Sequence, residues 1–354
     1  MHARPTEVRR RAISRSIAVG TAVAAALLAA NVGGNASAGG RQLRIGLVLE
    51  QPLVSRSGDP FQYGAYRGLV RAARDLHIRA KAVAPNPSGS GDKYLPPMEY
   101  LARQHYDLVI AVGTLEVDAL AQTARRFPGE RFALLDGPRR AVKHAPPNVE
   151  GTVFHTEQAA YLAGFVAARM ADRAGRRHVV SSVAGIPIEP VQAYVAGFRA
   201  GARRADPGIK LLNAYTYDFT NPTNCRHAAL GQIARGSTAV FDVAGACGVG
   251  ALDAAKRKGV YGIGVDTDQS YLGRYILTSV VKNLDAAVYD LARRLVDGRL
   301  RTGGDLNFDL RNHGVGLGKF SPAVPRALRR QLIPLARGIE QGTIAVPARF
   351  SPQR

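Results

Sequence analysis

Seven positions stand where side chains of useful type follow short apolar runs: Asp59, Phe61, Gly113, Asp136, Phe219, Gly245 and Asp266. The carboxylates can accept hydrogen bonds from hydroxyl or amino donors. The two phenyl rings can stack on a flat ligand, and the glycines let a backbone come close to one. An eighth residue, Lys282, closes an apolar stretch in which an inward ammonium needs a partner; in sequence the nearest acid is Asp285. Each has a plainer reading. Phe61 could staple a helix start, Asp136 before Gly137 could serve a turn, and Asp266 or Asp268 could cap the segment that follows.

The elements that must position these residues alternate in type. Strand-like runs occupy 44–49, 108–112, 131–135, 178–183, 210–215, 239–243, 261–265 and 275–281, and helical spacing of apolar positions occupies 64–76, 117–126, 158–173, 191–205, 224–236, 250–258 and 285–297. Strands separated by such helices predict parallel sheets with helices on both faces, an α/β chain of two doubly wound lobes. In open α/β sheets ligands bind beyond the C-terminal strand ends. Applied to both lobes, that rule gathers the seven positions into one cleft between them.

The first 38 residues differ from the rest: Arg9, Arg10, Arg11 and Arg15 precede an apolar run from Ile17 to about Val32, and Ala36-Ser37-Ala38 follows. That pattern predicts a secretory signal peptide over 1–38. No Cys stands at the cleavage site, so no lipid anchor is expected, and an exported, extracytoplasmic chain is. The leader's five Arg and one Glu account for four of the formal +21, leaving +17 on the exported part. Arginines scattered on helices without interleaved aromatics, on an exported chain, argue against nucleic acid as a partner. Cys225 and Cys247 are the two cysteines; in an oxidising compartment they could pair, or remain buried thiols. Histidine and cysteine spacing predicts neither a metal site nor a redox pair, and no G-x-S-x-G occurs. One rival pattern deserves weighing: Gly245-x-x-Gly248-x-Gly250 between strand and helix, with Asp266 about 20 residues on, approaches a dinucleotide-binding unit, but in the wrong glycine order.

Several blocks together resemble the basic membrane protein family, also called the purine nucleoside receptor A-like family, of ABC-importer substrate-binding proteins. They are F-x-x-x-A-Y-x-G-L at 61–69, FALLD at 132–136, EQAAYLAG at 157–164, A-G-F-x-A-G at 196–201, V-A-G-x-C-G at 243–248, G-V-D-x-D-Q at 264–269, L-T-S-x-V-K at 277–282 and GVGL at 314–317. The resemblance spans roughly 43–347. It implies a type I periplasmic-binding-protein fold: two lobes joined by three crossovers, the first from 43–150 plus about 276–305, the second from 151–275 plus about 306–345. It also implies a monomer that is not an enzyme and needs no cofactor, with importer membrane subunits as partners and a nucleoside as ligand. An exported oxidoreductase of NAD type, or a binder of sugars or other hydroxylated rings, is the alternative. Carried over by position, Phe61 would stack on a base, with Phe219 opposite. Asp136 would accept from the base edge, Gly245 would admit the ligand, and Asp266 with Lys282 would hold ribose hydroxyls. Asp59 also falls in the implied site, but the family commonly reads D-x-S-F-N-Q where this chain has Asp59-Pro60-Phe61-Gln62, so the acid lies one residue nearer the ring and Gln replaces Asn. Cys247 stands where many members have a hydroxyl, and its bond to Cys225 would pin the Gly245 loop.

Overall fold

The computed structural model describes residues 41–53, 59–86, 92–173 and 178–350; the expected leader lies outside them. The chain runs through β1 (Arg44–Val48), α1 (Pro60–Asp75), β2 (Arg79–Val83), α2 (Leu95–Arg103), β3 (Leu108–Val112), α3 (Val117–Arg126), β4 (Phe132–Leu135) and β5 (Val149–Phe154). It continues through α4 (Thr156–Arg173), β6 (Val179–Ala184), α5 (Glu189–Ala205), β7 (Lys210–Tyr215), α6 (Pro222–Ala234), β8 (Ala239–Val243), α7 (Gly245–Arg257), β9 (Tyr261–Asp266) and β10 (Ile276–Lys282). Last come α8 (Leu284–Val296), β11 (Asp305–Phe308), β12 (Val315–Leu317) and α9 (Arg326–Glu340).

Predominantly apolar runs make the central strands. β3 (LVIAV) and β8 (AVFDV, with one buried Asp242) are buried along their whole length, as strands covered on both faces must be. Each lies in the middle of a six-stranded sheet, ordered β2-β1-β3-β4-β5-β11 in one lobe and β7-β6-β8-β9-β10-β12 in the other. The two orders correspond strand for strand. Pairing is parallel except between β10 and β12, and the chain passes between lobes three times, after β5, after β10 and after β11. The expected α/β architecture of two doubly wound lobes with three crossovers is what the strands form.

Lobe boundaries need correction. β10 pairs with β9, Ser279 opposite Gly264, so 276–282 belong to the second lobe, not the first. The return to the first lobe begins at α8, which packs on α1. Likewise β5 pairs with β4 and β11 with β5, so the first lobe runs to 154 and includes 305–308. An apolar run such as ILTSVV reads alike in either sheet; only the register tells them apart.

Helix starts follow local chemistry. Asp59 caps α1 by accepting from Gln62 N, with Pro60 in the first turn, and Asn221 caps α6 by accepting from Thr223 N, with Pro222 behind it. Cys225 on α6 and Cys247 on α7 form a buried disulfide, Cα–Cα 5.5 Å across 22 residues. Loop closure of that length contributes about 3 kcal/mol. A Cys225→Ala/Cys247→Ala variant is therefore expected to unfold at lower denaturant by about that amount, checked by urea denaturation.

Candidate functional site

Strand ends of both lobes converge on one cleft of about 140 Å³, lined by Asp59, Phe61, Gly113 and Asp136 from the first lobe and Phe219, Gly245 and Asp266 from the second. Two of these residues hold backbone conformations that non-glycine residues seldom adopt: Asp136 at φ 68° and Asp266 at φ 61°. They occupy the same place in the two lobes, just past β4 and at the tip of β9. Such strain is of order 1–3 kcal/mol per residue and persists only where neighbours impose it. At Asp136 the neighbour is Thr152, whose Oγ1 accepts from Asp136 N at 2.9 Å while its backbone pairs with Gly137 on both sides. At Asp266 it is Gln269, whose Oε1 accepts from Val265 N at 2.8 Å.

The strained bends aim both carboxylates at one ammonium. Lys282, at the end of β10, donates to Asp136 Oδ2 at 2.6 Å and lies 3.8 Å from Asp266 Oδ1. Its side chain is 3% exposed, so it forms the floor beneath the cleft and does not line it. Tyr194 Oη completes the cluster by donating to Asp266 Oδ1 at 2.9 Å, and the Phe61 ring centroid lies 5.3 Å from Nζ. Burial pushes the Asp266 carboxyl up to about 6, against the pull of Lys282 and with the nearby Asp136 charge adding to the rise. At neutral pH it is an ionised acceptor. Asp285, the sequence neighbour, pairs with Arg67 instead. Asp268, not Asp266, takes the capping role, accepting from Ser270 N.

Asp59 lines the cleft but is already engaged. Its oxygens accept from Gln62 N, Gln62 Nε2 and Gln51 Nε2 at 3.1, 2.9 and 3.0 Å. Gln62 in turn accepts from Glu50 N at 2.8 Å, locking the end of β1 to the start of α1. That lock holds Phe61 in place. On the facing lobe the Phe219 ring lies on Gly185, where a Cβ would clash with it, and Cys247 N donates to Phe219 O at 2.9 Å, beside the disulfide. Gly245, at φ 55°, opens α7 next to this ring.

Other lining residues escape the sequence reading, among them the polar Glu50, Lys93, Tyr94 and Thr114. Glu50 is two residues past β1 and the strand-end rule would have found it. A Cβ on Gly113 would stand 2.5 Å from Glu50 Oε1 and 3.2 Å from Phe61 Cε1, which places the Glu50 carboxyl beside the ring. Burial, then the Asp59 and Asp136 charges, push Glu50 up to about 8. The folded chain therefore keeps this proton where the unfolded chain has lost it, so stability falls as pH rises from about 4.5 to about 8. Glu50→Gln is expected to melt higher than the parent at pH 8 and to lose that advantage near pH 4.5, read by thermal denaturation across that range.

The glycines of the rival dinucleotide pattern do other work. Gly248 and Gly250 lie inside α7, where a Cβ would strike the Asp242 carboxylate and the Pro222 carbonyl; they allow α7 to pack on β8 and α6. Ser181 and Ser182 are buried and bonded to Ser237 and Asn213. Among the described residues no cluster of three or more His, Cys, Asp or Glu is arranged to hold a metal ion, and no helix is long and apolar enough to cross a membrane.

Residues 53–349 match the family model described as ABC transporter substrate-binding protein PnrA-like. An uncharacterised lipoprotein of Pyrococcus horikoshii is 30% identical over 311 residues, 83% of this chain and 74% of its own length. The ABC transporter nucleoside-binding protein BmpA of Lactococcus lactis is 27% identical over 277 residues, 73% of this chain and 77% of its own. Among solved structures, a solute-binding protein of an ABC transporter system from Aeropyrum pernix superposes with a TM-score of 0.77 at 22% identity, covering 88% of this chain and 94% of that one; at that identity the likeness speaks for the fold. Relatives named as lipoproteins lend no support to the expectation of a chain without a lipid anchor.

Proposed function

Because this chain belongs to the PnrA-like family of ABC transporter substrate-binding proteins, we propose that it is exported, captures a nucleoside, preferably a purine, between its lobes, and presents it to the membrane subunits of an importer. The observation that supports this most is the pairing of two unlike surfaces in one cleft. Phe61 and Phe219 supply rings from opposite lobes, and Asp136 and Asp266 share the Lys282 floor. A nucleoside has the matching halves: a flat π-face for the rings and vicinal hydroxyls whose donors suit an ionised carboxylate. The nucleoside-binding relative from Lactococcus lactis agrees with this choice.

Since the contact set is divided between lobes, ligand stabilises the closed arrangement by its differential affinity for it. The exposed Arg140–Glu189 pair, which also joins the lobes, adds at most about 1 kcal/mol. Asp266 must be ionised to accept from hydroxyls, so affinity is expected to fall as pH drops below about 6, measurable by titration at pH 5 and pH 7.5. Mass spectrometry of the ligand carried through gentle purification, followed by thermal-shift ranking of nucleosides, sugars and NAD, tests the assignment. A purine nucleoside should rank first; NAD or a sugar in that place would replace it.

A further inference from the structure

Four of the described residues that line the interlobe cleft are carboxylic acids, and three of them are engaged. Asp136 and Asp266 face Lys282 at 2.6 and 3.8 Å, and Asp59 accepts from the Gln51 and Gln62 side chains at the start of α1. Glu50 is different. Among the described residues no hydrogen bond or ion pair holds its carboxyl, and the charges that act on it are those of Asp59, Asp136 and Lys93. Its backbone is fixed by Glu50 N donating to Gln62 Oε1 at 2.8 Å. Its carboxyl lies against the turn after β3: the point that a Cβ on Gly113 would occupy is 2.5 Å from Glu50 Oε1 and 3.2 Å from Phe61 Cε1. Acid and phenyl edge thus flank one gap that Gly113 leaves open.

The surroundings hold a proton on this acid. Burial raises its carboxyl most, the Asp59 and Asp136 charges add to the rise, and Lys93 opposes it, leaving it at about 8. Glu116, wholly buried on the turn after β3, is raised well above the usual carboxyl range by burial and then by Glu50; Tyr94, at the start of α2, is raised by burial and then by Glu50 and Glu116. The nearest side chains therefore disfavour an anion here. A protonated carboxyl carries an O–H donor and a C=O acceptor side by side, whereas a carboxylate carries acceptors alone.

We propose, resting on the nucleoside reading of the cleft, that Glu50 is the residue that selects the base: its O–H donates to a ring nitrogen, and its C=O accepts from the exocyclic amino group beside that nitrogen. Stacking on Phe61 brings the edge of the base to this carboxyl, while Asp136 and Asp266 stay with Lys282 and the ribose. Adenine offers the required pair, an acceptor nitrogen beside N6–H2. A 6-oxopurine offers it with the roles exchanged, on N1–H and O6, and the same acid meets that as well. Once ionised, Glu50 has no donor and its charge repels the lone pair of the adenine ring nitrogen.

The test titrates adenosine, and purine riboside, which lacks the 6-amino group, into the ligand-free chain and into Glu50→Gln and Glu50→Ala by calorimetry at pH 7 and pH 9. Parent affinity for adenosine should fall about tenfold between the two, following the protonated fraction of a group near 8. This is opposite in direction to the loss expected from Asp266 at low pH. Glu50→Gln, whose amide keeps a donor and an acceptor at every pH, should lose that dependence. At pH 7 the parent should hold adenosine roughly fivefold more tightly than purine riboside, as one hydrogen bond warrants, and Glu50→Ala should hold the two alike. A Glu50→Gln profile as steep as the parent's, or an adenosine preference surviving in Glu50→Ala, overturns the proposal and leaves the nucleoside reading standing. If the parent binds neither compound at either pH, both fall. Thermal melting shows whether each variant is folded; should Glu50→Ala not fold, the pH profile of Glu50→Gln decides alone.

Discussion

Lys282→Met is expected to destabilise the fold by on the order of 3–5 kcal/mol, the usual cost of removing one partner from a buried ion pair. The reason is local. Asp136 and Asp266 are held within a few ångströms of one ammonium that is itself 3% exposed, and without it two carboxylates remain buried with Tyr194 as the nearest donor. Burial already pushes Asp266 up to about 6 with Lys282 opposing the rise, so its loss drives both acids higher. A carboxyl raised above its unfolded value loses stability as pH increases through the interval between the two. The deficit of Lys282→Met should accordingly be larger at pH 8 than at pH 5. Urea denaturation at the two pH values reads this directly, and adding Asp136→Asn should restore part of the loss, because one stranded charge is then gone. Equal stability of parent and variant at pH 8 would show that the cluster does not bear on the fold.

Phe61→Ala is expected to weaken nucleoside binding by about 1–3 kcal/mol, the range for removing one base-stacking ring, which is roughly 5- to 150-fold in affinity. Phe61 is half-buried in the first turn of α1 and packs partly on the core, so alanine also removes some apolar contact. Phe61→Leu separates the two effects, since it retains most of the burial but has no π-face. Binding should fall in both variants and melting temperature mainly in the alanine one. Were leucine to bind as tightly as phenylalanine, the ring would be acting as a hydrophobic spacer and not as a stacking surface.

The alternation of strands and helices, and hence the paired α/β lobes, was readable from apolar runs such as LVIAV because parallel strands buried on both faces have no polar face to blur the pattern. Elements with another logic were not. α2 begins Leu95-Pro96-Pro97, and prolines that break a helix interior are tolerated in its first turn. β2 is an edge strand of sequence RAKAV, largely exposed at its start. β10 was recognised as a strand but assigned to the wrong lobe, because nothing in its composition records which neighbour it pairs with.

The site divides in the same way. Strand-end placement found Asp136 and Asp266, whose left-handed backbones sequence alone does not reveal; Lys282 was named for its place in an apolar stretch, without Asp136 as its partner. That partner comes from 146 residues away, beyond any local spacing argument. Asp59 was found for position, yet its oxygens serve the cap of α1 and the side chains of Gln51 and Gln62. Glu50 was missed although the same strand-end rule covers it, since an acid soon after a strand reads as an ordinary loop residue until Gly113 and Phe61 are seen against it.

Calorimetric titration of the ligand-free chain with adenosine, guanosine and D-ribose, in parallel with Asp266→Ala, tests the central claim most directly. The account predicts saturable binding of at least one purine nucleoside with one site per chain, no comparable binding of ribose, and a loss of about 1.5–3 kcal/mol for Asp266→Ala, the range for a hydrogen bond to a charged group. Saturable ribose binding with no nucleoside response, or a nucleoside affinity untouched by Asp266→Ala, would contradict it.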